Sequence, residues 1–269
     1  RKLAAITVKI GYPDQWKDYP GLVVRRDDLV GNVFRAREAN YRREIARLGR
    51  PVDPGEWFMA PQVVNAYYNP LANEIVFPAA ILQPPFFNLD ADDAVNYGGI
   101  GAVIGHEISH GFDDQGRKFD DSGALRDWWT PEDNRRFQAR TAELVKQYSA
   151  FSPLDGLNVN GELTLGENIG DLSGLAVAHK AYLISLAGES APEMDGLSGD
   201  QRFFIGWAQI WARKYRDDEL RRRLLTDPHS PSEYRVNGIV RNMPAFLQAF
   251  GVGKGDGLYL APEQRVRIW

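Results

Sequence analysis

The stretch Val103-Ile104-Gly105-His106-Glu107-Ile108-Ser109-His110 decides how this chain is read. It has the form H-E-x-x-H. Residues four apart on a helix share a face, so His106 and His110 aim two imidazoles at one point. Neutral imidazole is a good ligand for Zn²⁺, which usually takes four ligands in a tetrahedron. Glu107 flanks that point and can take a proton from a water that the metal polarises. The blander reading is a charged helix with two surface histidines. The pattern is scarce enough by chance to favour the metal.

A third ligand is needed, and Gly166-Glu167-Asn168-Ile169-Gly170-Asp171 offers one. Glu167 and Asp171 are four apart at the start of an apolar-periodic helix and can face the same way. Glu167 can ligate the metal, and Asp171 can accept the free N–H of a ligating imidazole. An acidic first turn favoured by the helix dipole is the alternative. The presence of H-E-x-x-H tips the balance to ligation.

Composition excludes several functions. The 269 residues are 43% hydrophobic and 25% charged, an ordinary globular balance. A net charge of −4 suggests no nucleic acid and no anionic membrane surface as partner. Cysteine is absent, which removes disulfides, thiolate zinc sites and a thiol nucleophile. No apolar run is long enough to span a bilayer.

Around the motif, periodicity predicts a mainly α fold with a small β-sheet, an α+β arrangement. Residues 6–10 alternate as a short strand ending at Gly11-Tyr12-Pro13-Asp14. From Asp27 a helical pattern follows, with Val30, Phe34, Tyr41, Ile45 and Leu48 on one stripe. Residues 63–70 and 74–78 read as a hairpin whose edge could pair with an extended peptide. The helix of His106 is expected to begin near Asp92 or Asp93. Its glycines at 98, 99, 101 and 105 suggest close backbone packing or nearby substrate, and Gly111 marks its end. Thr130-Pro131-Glu132-Asp133 starts a helix reaching about Ser149. Phe203, Trp207, Ile210, Trp211 and Tyr215 form an aromatic helical stripe, closed by Arg221, Arg222 and Arg223. The loop Asp113 to Gly123 lacks the ligand spacing of a calcium site. His179, mid-helix and with no partner in view, reads as structural.

Three motifs in order, H-E-I-S-H-G-F-D-D, E-N-I-G-D and D-P-H-S-P, resemble the neprilysin and endothelin-converting-enzyme family of zinc metallopeptidases. The resemblance runs from Lys9-Ile10-Gly11-Tyr12-Pro13-Asp14 to Arg265-Val266-Arg267-Ile268-Trp269. It implies a thermolysin-like zincin catalytic domain over residues 1–269, holding one Zn²⁺ through His106, His110 and Glu167. Asp171 and Asp113 would then brace the ligands, and Glu107 would be the base. His229, oriented by Asp227, would donate to the oxyanion. Asn65 would bind the peptide by its side chain, Ala66 by its main chain, and Arg235 would hold a substrate carbonyl. Ile81, Phe86, Val103 and Trp211 would wall a large apolar pocket for the residue after the cut bond. Val266 stands where many animal relatives carry Cys, which hints at a bacterial relative.

The resemblance implies an endopeptidase acting on small peptides outside the cytoplasm. It also implies a helical lid domain, to which nothing in this chain corresponds; it is expected as an N-terminal fragment or separate chain of the same precursor, the alternative being a form that naturally lacks it. A zinc exopeptidase is the main alternative. A peptide-binding subunit, or a piece inactive without its N-terminal partner, also stays open.

Overall fold

The computed structural model describes residues 1–269 and comprises two compact units: Tyr12–Ala60, and Arg1–Gly11 with Pro61–Trp269. The smaller unit is built on helix α1, Leu29–Ala46. Asp28 caps it by accepting from the Gly31 N–H at 2.9 Å. Arg35 reaches back to the Val23 carbonyl at 2.7 Å and fastens the preceding segment. The expected apolar stripe is on this helix and just beyond it. Val30, Phe34, Tyr41, Ile45 and Leu48 are all exposed.

The larger unit holds a three-stranded sheet of β1 (Thr7–Gly11), β2 (Tyr67–Asn69) and β3 (Glu74–Pro78), in the order β1-β3-β2. β1 runs parallel to β3, and β2 and β3 form the expected hairpin, with Tyr68 opposite Ile75. β3 is central and fully buried, while β2 keeps a free edge.

The helices carry the rest. α2 (Asp93–Asn96) begins where Asp92 accepts from the Ala94 N–H at 2.8 Å. A wide π-type turn over Tyr97–Gly101 leads straight into α3, Ala102–His110, which bears the motif. A Cβ on Gly98 would lie 2.0 Å from the Phe203 carbonyl oxygen, and one on Gly99 2.4 Å from that of Phe86. The glycines therefore serve close backbone packing. Gly111 does end α3, but in right-handed geometry (φ −62°), so the stop does not rest on glycine's access to positive φ.

α4 spans Pro131–Ser149, capped by Thr130 as expected. α5 spans Leu165–Ser185 and α6 Gly199–Ile210, the latter opened by a Ser198–Gln201 capping box. The expected single helix from Phe203 to Arg223 is in fact two. Trp211 closes α6, Tyr215 lies in the connecting stretch, and α7 (Asp217–Thr226) begins afresh. The reason is local: Asp217, Asp218 and Glu219 supply the negative charge that favours a helix start. α8 (Ser232–Val240) and α9 (Pro244–Ala249) follow.

The core lies between α4, α5, α6 and α8, with Leu144, Ile169, Leu175, Phe203, Trp207 and Ile239 almost wholly buried. Truncating Phe203 or Trp207 to alanine would cost about 3–5 kcal/mol. His179 is part of this core and does have a partner: Asp200 lies 2.8 Å from its Nε2, and the ring packs on Phe203 and Phe204.

Candidate metal centre and active site

The centre forms where α3 crosses α5, and glycine makes the crossing possible. A Cβ on Gly105 would lie 2.5 Å from the Gly174 carbonyl oxygen, and one on Gly174 2.4 Å from the His106 backbone nitrogen. A Cβ on Gly170 would lie 2.8 Å from the His106 ring. Larger residues would push the two backbones apart. In this close crossing, His106, His110 and Glu167 each offer a donor atom, all within 4.8 Å of one another.

Both imidazoles are anchored through Nδ1. That of His106 lies 2.8 Å from Asp171 Oδ1, and that of His110 2.7 Å from Asp113 Oδ2. An ionised carboxylate only accepts, so each Nδ1 carries the proton and each Nε2 keeps its lone pair for a metal. Asp171 is itself fixed, taking Arg235 Nε and Nη2 at 2.7 Å each. The Arg235 guanidinium stacks on Trp211, 3.8 Å from the ring centroid. Asp113 Oδ1 accepts from the Gln115 and Gly116 N–H groups at 2.8 and 2.7 Å.

Glu167 Oε2 tests whether a cation suits this site. It is buried and accepts no well-directed hydrogen bond, yet it lies 3.2 Å from both His106 Nε2 and His229 Nε2. An orphaned buried carboxylate oxygen is costly, and a divalent cation among these atoms would satisfy it. Two imidazole nitrogens and a carboxylate are a donor set that suits Zn²⁺ with one position left open.

The electrostatics agree. Burial would raise the Glu167 carboxyl, but the close approach of the His106 and His229 rings and the charge of His106 and His110 hold it well below the usual carboxylate range. With no cation bound, burial would lower the His106 pKa. The Asp171 and Glu167 carboxylates outweigh burial and lift it to about 10. The site is thus built to hold positive charge. Glu107 is almost wholly buried, and burial pushes its carboxyl upward against the lowering effect of the two imidazoles. A raised carboxyl is what a general base needs near neutral pH.

All of these groups line one cavity of about 940 Å³. Asn65, Ala66, Ile81, Phe86, Val103, Trp211, His229 and Arg235, each singled out from the sequence, line it too. Asn65 and Ala66 sit just before β2, at the sheet's free edge. His229 Nδ1 and its backbone N–H both meet Asp227 Oδ1, at 2.8 and 2.9 Å. Arg223 pairs with Asp227 at 2.9 Å, and Ser230 donates to Asn168 on α5 at 2.8 Å. Neither contact was foreseen, though Arg223 and Asp227 are four apart, a spacing that brings side chains together on a helix. Arg213 and Phe119 also line the cavity and carry no sequence signal.

A profile of peptidase family M13 matches residues 65–266. The chain belongs to that family. It is 43% identical over its full length to membrane metallo-endopeptidase-like 1 of Mus musculus and 40% to neprilysin of Homo sapiens, spanning 37% of each. Among solved structures, it is similar to the Mycobacterium tuberculosis zinc metalloprotease ZMP1 in complex with inhibitor. Identity there is 60% and the TM-score 0.98, covering 100% of this chain and 42% of that one. PepO of Lactobacillus rhamnosis matches at 40% identity and TM-score 0.90, over 100% and 41% of the two chains. The chain thus spans well under half of these M13 relatives, and its fold is that of their zincin-type part. No helix in it is long and apolar enough to cross a membrane.

Proposed function

We propose that this M13 chain carries the catalytic centre of a zinc endopeptidase acting on small peptides. The observation that carries the reading is the orphaned Glu167 Oε2. It lies 3.2 Å from His106 Nε2, while Oε1 of the same carboxylate lies 3.8 Å from His110 Nε2, beside a buried Glu107, in a cavity bordered by a free strand edge. Zn²⁺, when bound, supplies Lewis-acid polarisation of the peptide carbonyl and of water. His106, His110 and Glu167 are the residues that would hold it.

The chain's own groups do the rest. Glu107 takes a proton from the attacking water and delivers it to the leaving amine nitrogen. His229 donates from Nε2 to the oxyanion that develops on the carbonyl. Asp227 holds the ring through Nδ1 and so aims Nε2 into the cavity. Asn65 and the Ala66 main chain hold the peptide beside β2. Arg235, fixed by Asp171 and Trp211, presents what remains of its guanidinium to a substrate carbonyl. That pair of hydrogen bonds to Asp171 leaves Arg235 less free to capture a terminal carboxylate, which weighs against an exopeptidase.

Ile81, Phe86, Val103 and Trp211 favour a bulky hydrophobic residue after the cut bond. In a peptide series, Phe or Leu at that position should exceed Asp by at least about tenfold in kcat/KM. Both units, over residues 1–269, belong to this catalytic part, which works outside the cytoplasm of a bacterium together with an N-terminal lid segment. The 60% identity to the Mycobacterium tuberculosis protein supports the bacterial reading. The deciding experiment is Glu107→Gln. It should keep zinc and lose about 10³-fold in rate. Near-normal turnover in that variant rejects the assignment.

A further inference from the structure

Lys2 is remote in sequence from the motif, yet it is only 4% exposed and its ammonium is enclosed by the loop that follows α3. Nζ donates to three carbonyls, those of Gly111 at 2.6 Å, Gly116 at 2.7 Å and Phe119 at 2.8 Å. An ammonium has three donors, and all three are used. These carbonyls belong to the loop that follows α3 and carries Asp113, the partner of His110. The same ammonium lies 5.7 Å from the ring centroid of Tyr68 and 5.6 Å from that of Phe112. Tyr68 is on β2, the edge strand beside Asn65 and Ala66.

A second link runs through Asn73, at the β2–β3 turn and 1% exposed. Its amide nitrogen donates to the Lys2 carbonyl at 3.1 Å, and its Oδ1 accepts from the Tyr68 hydroxyl at 2.9 Å. The loop is also pressed onto the hairpin. A Cβ on Gly123, at φ +80°, would lie 1.9 Å from the Leu71 carbonyl oxygen, and one on Gly116 1.7 Å from that of His110. Burial lowers the Lys2 pKa to about 8 against the pull of Asp113 and Asp120, so the charge is kept at a cost. Without it, three carbonyls lose a charged donor at once.

We propose that Lys2 is a positioning residue for the hydrolytic site, a brace that fixes the His110–Asp113 loop against the substrate-binding edge strand. The inference rests on the peptidase reading for its catalytic meaning. Lys2 touches neither metal ligand nor substrate; it acts through the loop.

The test is Lys2→Met in the full protein, which keeps chain length and removes the charge. Zinc affinity should fall about tenfold, the low end for loss of a ligand-supporting contact. The visible spectrum of the Co²⁺-substituted protein should shift. On a quenched peptide, kcat should fall more than KM changes. Lys9→Met, which breaks the neighbouring ion pair with Glu74 at 2.7 Å, serves as control and should cost stability alone. A Lys2→Met protein with unchanged zinc affinity, cobalt spectrum and kcat, and only a lower Tm, overturns the proposal. Should Lys2→Met not fold, hydrogen exchange on the unaltered protein decides. Gly116 and Phe119 amides that stay slow after zinc is stripped support the brace. Amides that jump to free-loop rates show that the metal orders the loop, and the proposal fails. Zinc affinity and the cobalt spectrum read the brace even if no peptide is cut, so its failure and that of the peptidase reading are told apart.

Discussion

The metal ligands and the neighbouring His229 are held in different ways. On the metal side, His106, His110 and Glu167 project from two helices whose backbones meet through Gly105, Gly170 and Gly174. Their positions follow from helix geometry, and Asp171 and Asp113 lock the rings. Beside it, His229 stands on a short loop between α7 and α8, partly exposed, and depends on Asp227, Arg223 and the Ser230–Asn168 contact. The metal side is determined by two helices that cross closely. The His229 side is set by local hydrogen bonds.

If that contrast is right, the largest effect comes from spoiling the crossing. Gly174→Ala places a Cβ against the backbone of His106, and overpacking of this kind costs about 3 kcal/mol. Zinc binding should fail in the folded fraction, as metal analysis would reveal; a variant with normal zinc content would break the comparison. Next is Asp171→Asn, which weakens the hold on His106 and leaves Arg235 without its carboxylate. Zinc affinity should drop about 10–100-fold. Asp227→Asn, on the loop side, should lower kcat about tenfold with zinc affinity unchanged, since it removes only the carboxylate that orients the His229 ring. Equal losses of zinc from the two Asp variants would erase the distinction.

The smallest effect is a pH dependence. In the stripped protein His106 binds its proton up to about pH 10, against 6.5 when unperturbed. A raised folded-state pKa adds stability that is fully present below 6.5 and disappears as pH climbs through 10. The Tm of stripped protein should therefore fall across that range, relative to the zinc-loaded form, in which a metal replaces the proton. Parallel curves would count against His106 as a ligand.

What could be read from the sequence follows the same division. His106, His110, Glu167 and Asp171 were legible because helical spacing of four turns order in the chain into a shared face. The hairpin and the Thr130 cap were legible from local turn and capping chemistry. The break at Trp211 was not, because the aromatic stripe runs through it and only the acids at 217–219 reveal a second start. Arg235 on Asp171, Asp200 on His179 and Lys2 under the loop span 64, 21 and 109–117 residues. No local periodicity connects such pairs; only the packed fold does. The exposure of the α1 stripe is likewise invisible to a pattern that records apolar spacing but not what covers it.

The most direct test of the central claim is anomalous scattering at the zinc edge from crystals of the protein purified without added metal. One strong peak should appear about 2.0–2.2 Å from His106 Nε2, His110 Nε2 and a Glu167 carboxylate oxygen. A peak elsewhere, or zinc held by the histidines with Glu167 turned away, would contradict the account.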